Sequence, residues 1–287
     1  MVKLIAEIGC NHKGDLKIAK EMIGVASHIV KADIVKFQKR NISELLTKEE
    51  YDAPHPNEYN SYGTSYGEHR ERLEFNIDEH AQLKSWCERN NIEYSTSVWD
   101  LTSAKEIITL KPNMIKVPSA CNLKKPLLME LISNFEGEVH VSLGMTDDTE
   151  IEKIVSLFED NKRNQDLVLY SCTSGYPVAF KDTCLLEILK LNKKYKSRVK
   201  AIGFSGHHLG IAADMAALTL GASYIERHFT LDRTWKGTDH AASLEPEGFR
   251  KLCRDARSVL DALKYKESKL EVEVATFKKL KEHQIIW

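Results

Sequence analysis

No stretch of this chain approaches the roughly 20 apolar residues of a membrane-spanning helix. With 41 Lys and Arg against 42 Asp and Glu, its formal net charge is only −1. The first absence excludes a helical membrane span, and the second argues against nucleic acid or an anionic membrane as the main partner. The six cysteines, Cys10, Cys87, Cys121, Cys172, Cys184 and Cys253, form no C-x-x-C pair and keep no regular spacing. Free thiols in a reducing cytoplasm are therefore expected, with no disulfide framework and no zinc site. The opening "MVKLIAEIGC" is too short an apolar stretch, and too soon interrupted by Glu7, to be a signal peptide. No sequence repeat of 20–50 residues and no low-complexity segment occurs.

What recurs is an alternation of element types. Short β-branched runs fall at 3–9, 33–38, 92–98, 114–119, 138–144, 167–174, 199–206 and 223–230, and segments of helical period lie between and after them. Asp15, Asp78, Thr102, Asp147 and Asp182 stand near helix starts, and Gly221 ends one. The strands are too apolar for a sheet with one wet face, which implies a parallel sheet covered by helices. Eight such units in about 260 residues predict a single-domain α/β fold, a (β/α)8 TIM barrel over residues 1–264. A doubly wound open sheet is the alternative, but "EIGCNHKG" lacks the G-x-G-x-x-G of a dinucleotide fold. The 41–77 segment is a long insertion after strand two, rich in Tyr, His and Arg, which favours a lid or a substrate-contacting loop. Residues 265–287 form a tail, expected as a terminal helix docked on the barrel's bottom rather than as a dimer contact.

In such barrels the reactive groups project from the C-terminal strand ends. Each end here carries polar residues: Glu7, Asn11 and His12; Lys36, Gln38, Lys39 and Arg40; Ser97 and Asp100; Lys116, Ser119 and Asn122; Ser142; Thr173, Ser174 and Tyr176; Ser205, His207 and His208; Glu226, His228 and Thr230. Singly, each has a plain structural explanation as a cap or a core residue; eight polar ends at one rim do not. His207 and His228 end adjacent strands, so their imidazoles can share one divalent ion, Mn²⁺ or Mg²⁺, completed by water and substrate. His208 competes for that role, but its side chain should point away from that of His207. Lys36 and Lys116, with Ser119, Ser142 and Ser205, make a cradle for phosphate plus carboxylate. The alternative is that either lysine pairs with a carboxylate in the barrel mouth.

At these residues the sequence resembles the sialic acid (nonulosonic acid) synthase family. The resemblance runs from residue 4 to about 264, through "AEIGCNHKGDLKIAKEMI", "VKFQK", "YGEHRERLEF", "KVPSA", "SLGM", "CTSGYP", "GFSGHHLGI" and "ERHFTLDRTWKGTDHAASLEP". The last motif and "YGEHRERLEF" most resemble the N-acylneuraminate-9-phosphate synthase branch. The resemblance implies a transferase that joins phosphoenolpyruvate to the aldehyde of an open-chain mannose-type sugar with C–O cleavage, giving a sialic-type acid or its 9-phosphate plus phosphate. The acceptor would be N-acetylmannosamine, mannose or a 6-phosphate of these.

Family roles carry over to matching positions. His207 and His228 match the metal pair, and Glu7, Lys36, Lys116 and Asp239 the catalytic set. Lys36, Lys116, Ser119, Ser142, Ser174, Tyr176 and Ser205 match the phosphoenolpyruvate contacts, Ser174 standing where some relatives have Asn. Asn11, Gln38, Arg40, Tyr66, His69, Arg70, Ser97 and Asn122 are the expected sugar contacts, with Lys39, Arg40, His69 or Arg70 for a sugar phosphate. Arg233, Trp235 and Lys236 are expected to shape the strand-eight loop. Two departures stand out. The fourth-strand motif reads Ser119-Ala120-Cys121-Asn122 without the acidic residue common in N-acetylmannosamine users. The tail is also too short for the family's antifreeze-like domain, which a separate protein would then supply; a homodimer is expected. The rival readings are another phosphoenolpyruvate-dependent 3-deoxy-aldulosonate synthase and an inactive barrel serving as a scaffold subunit.

Overall fold

The computed structural model describes residues 2–281 and 284. Eight parallel strands close in sequence order: β1 (Lys3–Gly9), β2 (Ile34–Lys39), β3 (Glu93–Val98), β4 (Met114–Val117), β5 (Glu138–Ser142), β6 (Leu167–Cys172), β7 (Ala201–Gly206) and β8 (Tyr224–His228). β8 pairs back onto β1, so the sheet has no edge and a barrel, not an open sheet, is formed. The outer layer begins with α1 (Leu16–Val25), continued by a π-helical turn over Ala26–Val30. The insertion holds α2 (Ile42–Leu45), α3 (Lys48–Asp52) and α4 (Tyr66–Arg72), so it is not structureless. Then come α5 (Ile77–Arg89), α6 (Leu101–Thr109), α7 (Lys125–Asn134), α8 (Asp148–Asp160), α9 (Leu186–Tyr195), α10 (Ala212–Thr219) and α11 (Pro246–Ala262).

Caps set where these helices start. Asp15 accepts from the Lys17 amide at 2.7 Å, and Asp147 forms a capping box with Glu150. Two starts lie earlier than expected: Asn76, boxed with Glu79, caps α5 in place of Asp78, and Asp100 caps α6 in place of Thr102. Asp182 caps nothing, because α9 begins later, at Leu186. Asp100 also accepts from the Asn41 amide at 2.7 Å and so pins the start of the insertion to the end of β3.

The two faces of each strand have different tasks. Outward residues such as Val35 and Phe37 join the large core between sheet and helices. Inward, Ile5, Ile34, Met114, Val168 and Tyr170 form a small apolar plug, with Tyr224 packed against it. Two residues further along the same inward faces stand Glu7, Lys36, Lys116 and Glu226, because side chains repeat every second residue. The plug is therefore the floor of a charged layer.

The last described helix, α12 (Glu271–Leu280), corrects an expectation. It buries no side chain, and Leu270, Val272, Val274 and Leu280 are exposed. Its contacts are local: Lys266 pairs with Glu273, and the Lys269 ammonium lies 3.5 Å from the Phe277 ring centre. It is not docked on the barrel's bottom, because a helix with no buried apolar stripe has nothing to hold it there. Of the tail, residues 282, 283 and 285–287 lie outside the described residues.

Candidate active site

A cavity of about 320 Å³ opens at the C-terminal ends of the strands. Register brings its charged floor together: Glu7 pairs with Lys36 on one side and His228 on the other, and Ser205 with Glu226. Lys36 forms an ion pair with Glu7, lies 3.8 Å from Glu226 and donates to Ser97 Oγ at 2.7 Å. Lys116 donates to Glu226 Oε1 at 2.7 Å, and Ser205 Oγ donates to the same oxygen at 3.1 Å. Both lysines are thus paired with carboxylates, as the alternative reading held, while both still line the cavity. The sequence reading placed Glu226 at the rim but assigned it no role in the site. Its signal was present in "YIERH", where it stands two before His228 and so on the same face.

Burying four charges together spreads their ionisation. Burial pushes the Glu7 carboxyl up to about 7, although Lys36 opposes the shift. Burial also opposes ionisation of Glu226, but Lys116 and Lys36 outweigh it and hold the carboxyl down at about 2. Lys36 is raised, because Glu226 and Glu7 overcome its desolvation; Lys116 is lowered, because desolvation wins despite Glu226.

The two imidazoles converge beside this layer. The ring centres of His207 and His228 are 5.4 Å apart, and Tyr176 at the mouth packs 4.3 Å from His207 and 5.7 Å from His228. His207 Nδ1 is 3.0 Å from the Thr173 carbonyl, which can only accept, so the proton sits on Nδ1 and the Nε2 lone pair is free. The buried His228 Nδ1 has no hydrogen-bond partner, and Asp239 Oδ2 stands 3.9 Å from it. Burial and the neighbouring His228 push His207 down to about 3, and burial lowers His228 too despite Asp239 and Glu226. Two neutral imidazoles with available lone pairs fit a divalent cation. No group of three or more His, Cys, Asp or Glu is arranged to hold one among the described residues, so a cation here would need water and substrate to complete its shell. His208 points the other way: it is buried, 3.2 Å from Asp214 and 3.0 Å from Arg227.

Along one wall, Ser119 Oγ accepts from the Gly144 amide at 3.1 Å. A Cβ at Gly144 would lie 2.3 Å from Ser174 Oγ and 2.7 Å from Ser119 Oγ, so any side chain there would displace these two hydroxyls. Ser142, Ser205 and Gln38 line the same cavity.

The insertion supplies the outer wall through His55, Tyr66, His69 and Arg70. Tyr62 OH donates to the Lys236 carbonyl at 2.5 Å, joining the insertion to the strand-eight loop. His69 accepts from the Tyr62 amide at 3.1 Å, and burial with His55 and Arg70 pushes its pKa down to about 4. The Arg70 guanidinium lies 4.9 Å from the Tyr66 ring centre and 5.9 Å from that of Trp99. His55 is a further residue that the sequence reading missed; a histidine in an aperiodic loop carries no signal of its direction. In the strand-eight loop, Arg233 bonds to the Ala241 carbonyl, Trp235 packs on His240 and under Lys13, and Lys236 lies over Tyr62.

Three expected sugar contacts lie off the cavity, and a fourth lines it already engaged. Asn11 is buried off the cavity, donating to the Phe229 carbonyl and Ser243 Oγ, both at 2.9 Å. Asn122 donates to the Ser142 carbonyl at 2.8 Å and Thr146 Oγ1 at 2.6 Å, bracing two loops. Lys39 points outward and pairs with Glu106 at 2.9 Å. Arg40 reaches the wall, but Glu74 engages its backbone N–H at 2.9 Å and its Nε at 2.5 Å.

The family model described as "NeuB family" matches residues 22–268. The N-acetylneuraminate-9-phosphate synthase of Drosophila melanogaster is 37% identical over 251 residues, 88% of this chain and 66% of that protein. The N,N'-diacetyllegionaminic acid synthase of a Campylobacter jejuni strain is 33% identical over 261 residues, 91% of this chain and 77% of that protein. This chain thus spans about two thirds to three quarters of such relatives. Among solved structures, the N-acetylneuraminic acid synthetase of Leptospira borgpetersenii in complex with citrate superposes with a TM-score of 0.82 at 29% identity. That match covers 97% of this chain and 90% of that one.

Proposed function

The chain belongs to the NeuB family, and from that premise we propose that it is a phosphoenolpyruvate-dependent synthase, condensing phosphoenolpyruvate with the aldehyde of an open-chain mannose-type sugar. The observation that carries the reading is the convergence, in one cavity, of the buried Glu7, Lys36, Glu226 and Lys116 with two neutral imidazoles. Lys36 and Lys116 bind the phosphate and carboxylate, and Ser119, Ser142, Ser174 and Ser205 supply hydrogen bonds to them. Held this way, C3 of the enol faces the sugar's C1. His207 and His228 would hold a divalent ion such as Mn²⁺ or Mg²⁺, which would supply Lewis acidity to polarise the aldehyde.

The enol π pair forms the new C–C bond, and water adds to C2. Glu7, nearly half-ionised at neutral pH, takes the water's proton, which balances the proton gained by the former aldehyde oxygen. The C2–O bond to phosphorus then breaks, phosphate leaves with the bridging oxygen and the remaining hydroxyl proton, and a 2-keto acid remains. Asp239, beside His228, is the second carboxylate within reach of the reacting groups.

The acceptor carries a terminal phosphate. The Drosophila relative is named for a 9-phosphate product. With Lys39 and Arg40 engaged by Glu106 and Glu74, Arg70 and His69 are the contacts for it. Phosphate release from phosphoenolpyruvate with Mn²⁺ and a panel of aldoses, read out by product mass, tests the reading. Equal turnover with phosphorylated and unphosphorylated sugars would remove the terminal phosphate from it, and no turnover by folded, metal-loaded protein would remove the whole.

A further inference from the structure

We propose that Tyr170 is a positioning residue for Lys116, carrying the ammonium on its ring face so that the cation stands ready for the anionic groups of phosphoenolpyruvate. The inference rests on the reading above that this cavity takes that substrate. Lys116 Nζ lies 4.1 Å from the Tyr170 ring centre, with both side chains buried. The ring itself is fixed from two directions. Gly203 is its partner in register on β7, and a Cβ there would come within 2.7 Å of the ring, so the glycine leaves the slot that the ring fills. The phenol oxygen is 2.8 Å from His140 Nδ1, whose Nε2 is 3.1 Å from Glu138. Glu138 in turn accepts from Tyr224 OH at 2.8 Å and pairs with Lys200 at 3.0 Å. The ring is thus anchored from the far end of the barrel, away from the substrate.

The other partner of Lys116 is Glu226, which Lys36 and Ser205 share. An incoming anion competes with that carboxylate for the ammonium. It does not compete with a π face, which attracts the cation without offering it a counter-charge. An aliphatic side chain in the same place would desolvate Lys116 and return nothing.

Calorimetric titration of phosphoenolpyruvate into the full chain, with steady-state phosphate release alongside, tests this. Tyr170→Phe keeps the face and holds Kd within about threefold of wild type. Tyr170→Leu removes it, and raises Kd and KM by about 5- to 30-fold with kcat within about threefold, the range set by a desolvated cation–π contact. Tyr170→Met, which refills the space flexibly, shows the same rise and stands in if the Leu variant does not fold. A folded Leu or Met variant with Kd within about twofold of wild type overturns the role. So does a Phe variant that loses as much as the Leu variant, since that assigns the effect to the hydroxyl. A wild-type chain that binds no phosphoenolpyruvate overturns the functional reading itself.

Discussion

Burial holds the Glu7 carboxyl near half-ionisation at neutral pH, about 7, against the pull of Lys36. In the proposed role of base to the water it works ionised, so kcat/KM for phosphate release is expected to rise as pH increases through about 7. Glu7→Gln lowers kcat by about 10²- to 10⁴-fold and flattens that limb of the pH profile. Glu226 has the opposite disposition, with its pKa lowered from 4.5 to about 2. It contributes stability that is full above the unfolded value and is lost as pH falls toward 2. Glu226→Gln strips the charge from the carboxylate between the two lysines, and breaking a buried pair costs about 3–5 kcal/mol. Its melting temperature therefore drops by roughly 5–10 °C in the free protein. Phosphoenolpyruvate brings its own negative charge to the same lysines, so it raises the melting temperature of this variant more than that of wild type. Thermal melts with and without the ligand measure both effects.

At the level of the element, the insertion between β2 and α5 builds the outer wall of the cavity, the side proposed for the acceptor. α4 presents Tyr66, His69 and Arg70 together because they lie within one turn and the next, at positions i, i+3 and i+4. Arg70 is stacked between aromatic rings, whereas Lys39 and Arg40 on the neighbouring strand end are engaged by acids. Arg70→Met raises KM for a phosphorylated sugar by about tenfold or more, as expected on removing a charge-assisted contact, and leaves KM for phosphoenolpyruvate within about twofold. Steady-state kinetics with each substrate varied separately checks it. The same element shows where sequence reasoning stops. Period-two alternation placed Lys36, Lys116, His207 and His228 correctly, since a strand has only two faces. Asn11 and Asn122 lie just beyond strands, in turns where the chain reverses and no period says which way an amide points. Lys39 was misread for a simpler reason: next to Lys36 and Gln38 on one strand, it must face the helices when they face the cavity.

For the whole molecule, barrel closure makes the fold legible and the site only partly so. Eight apolar runs separated by helical period determine the strand order once the sheet closes, and each observed strand lies within two residues of its expected bounds. The charged floor depends on register between neighbouring strands, such as Ser205 with Glu226, and across the seam where the barrel closes, Glu7 with His228, and no sequence period sets either. The cohesion of the barrel resides in the apolar layer around the strands and in a sheet without edges, not in the mouth where His207 and His228 stand. A cation held there by two imidazoles strengthens the fold only through its own binding energy, about 2.7 kcal/mol at a hundredfold excess over Kd. Chelation then lowers the melting temperature by roughly 5 °C, keeps the circular dichroism of the folded barrel and abolishes phosphate release, and Mn²⁺ restores that activity. His207→Ala reproduces the chelated state and is indifferent to added Mn²⁺. Unfolding on chelation would instead make the cation a structural part of the barrel, which neither a two-imidazole site nor a core closed without it supports.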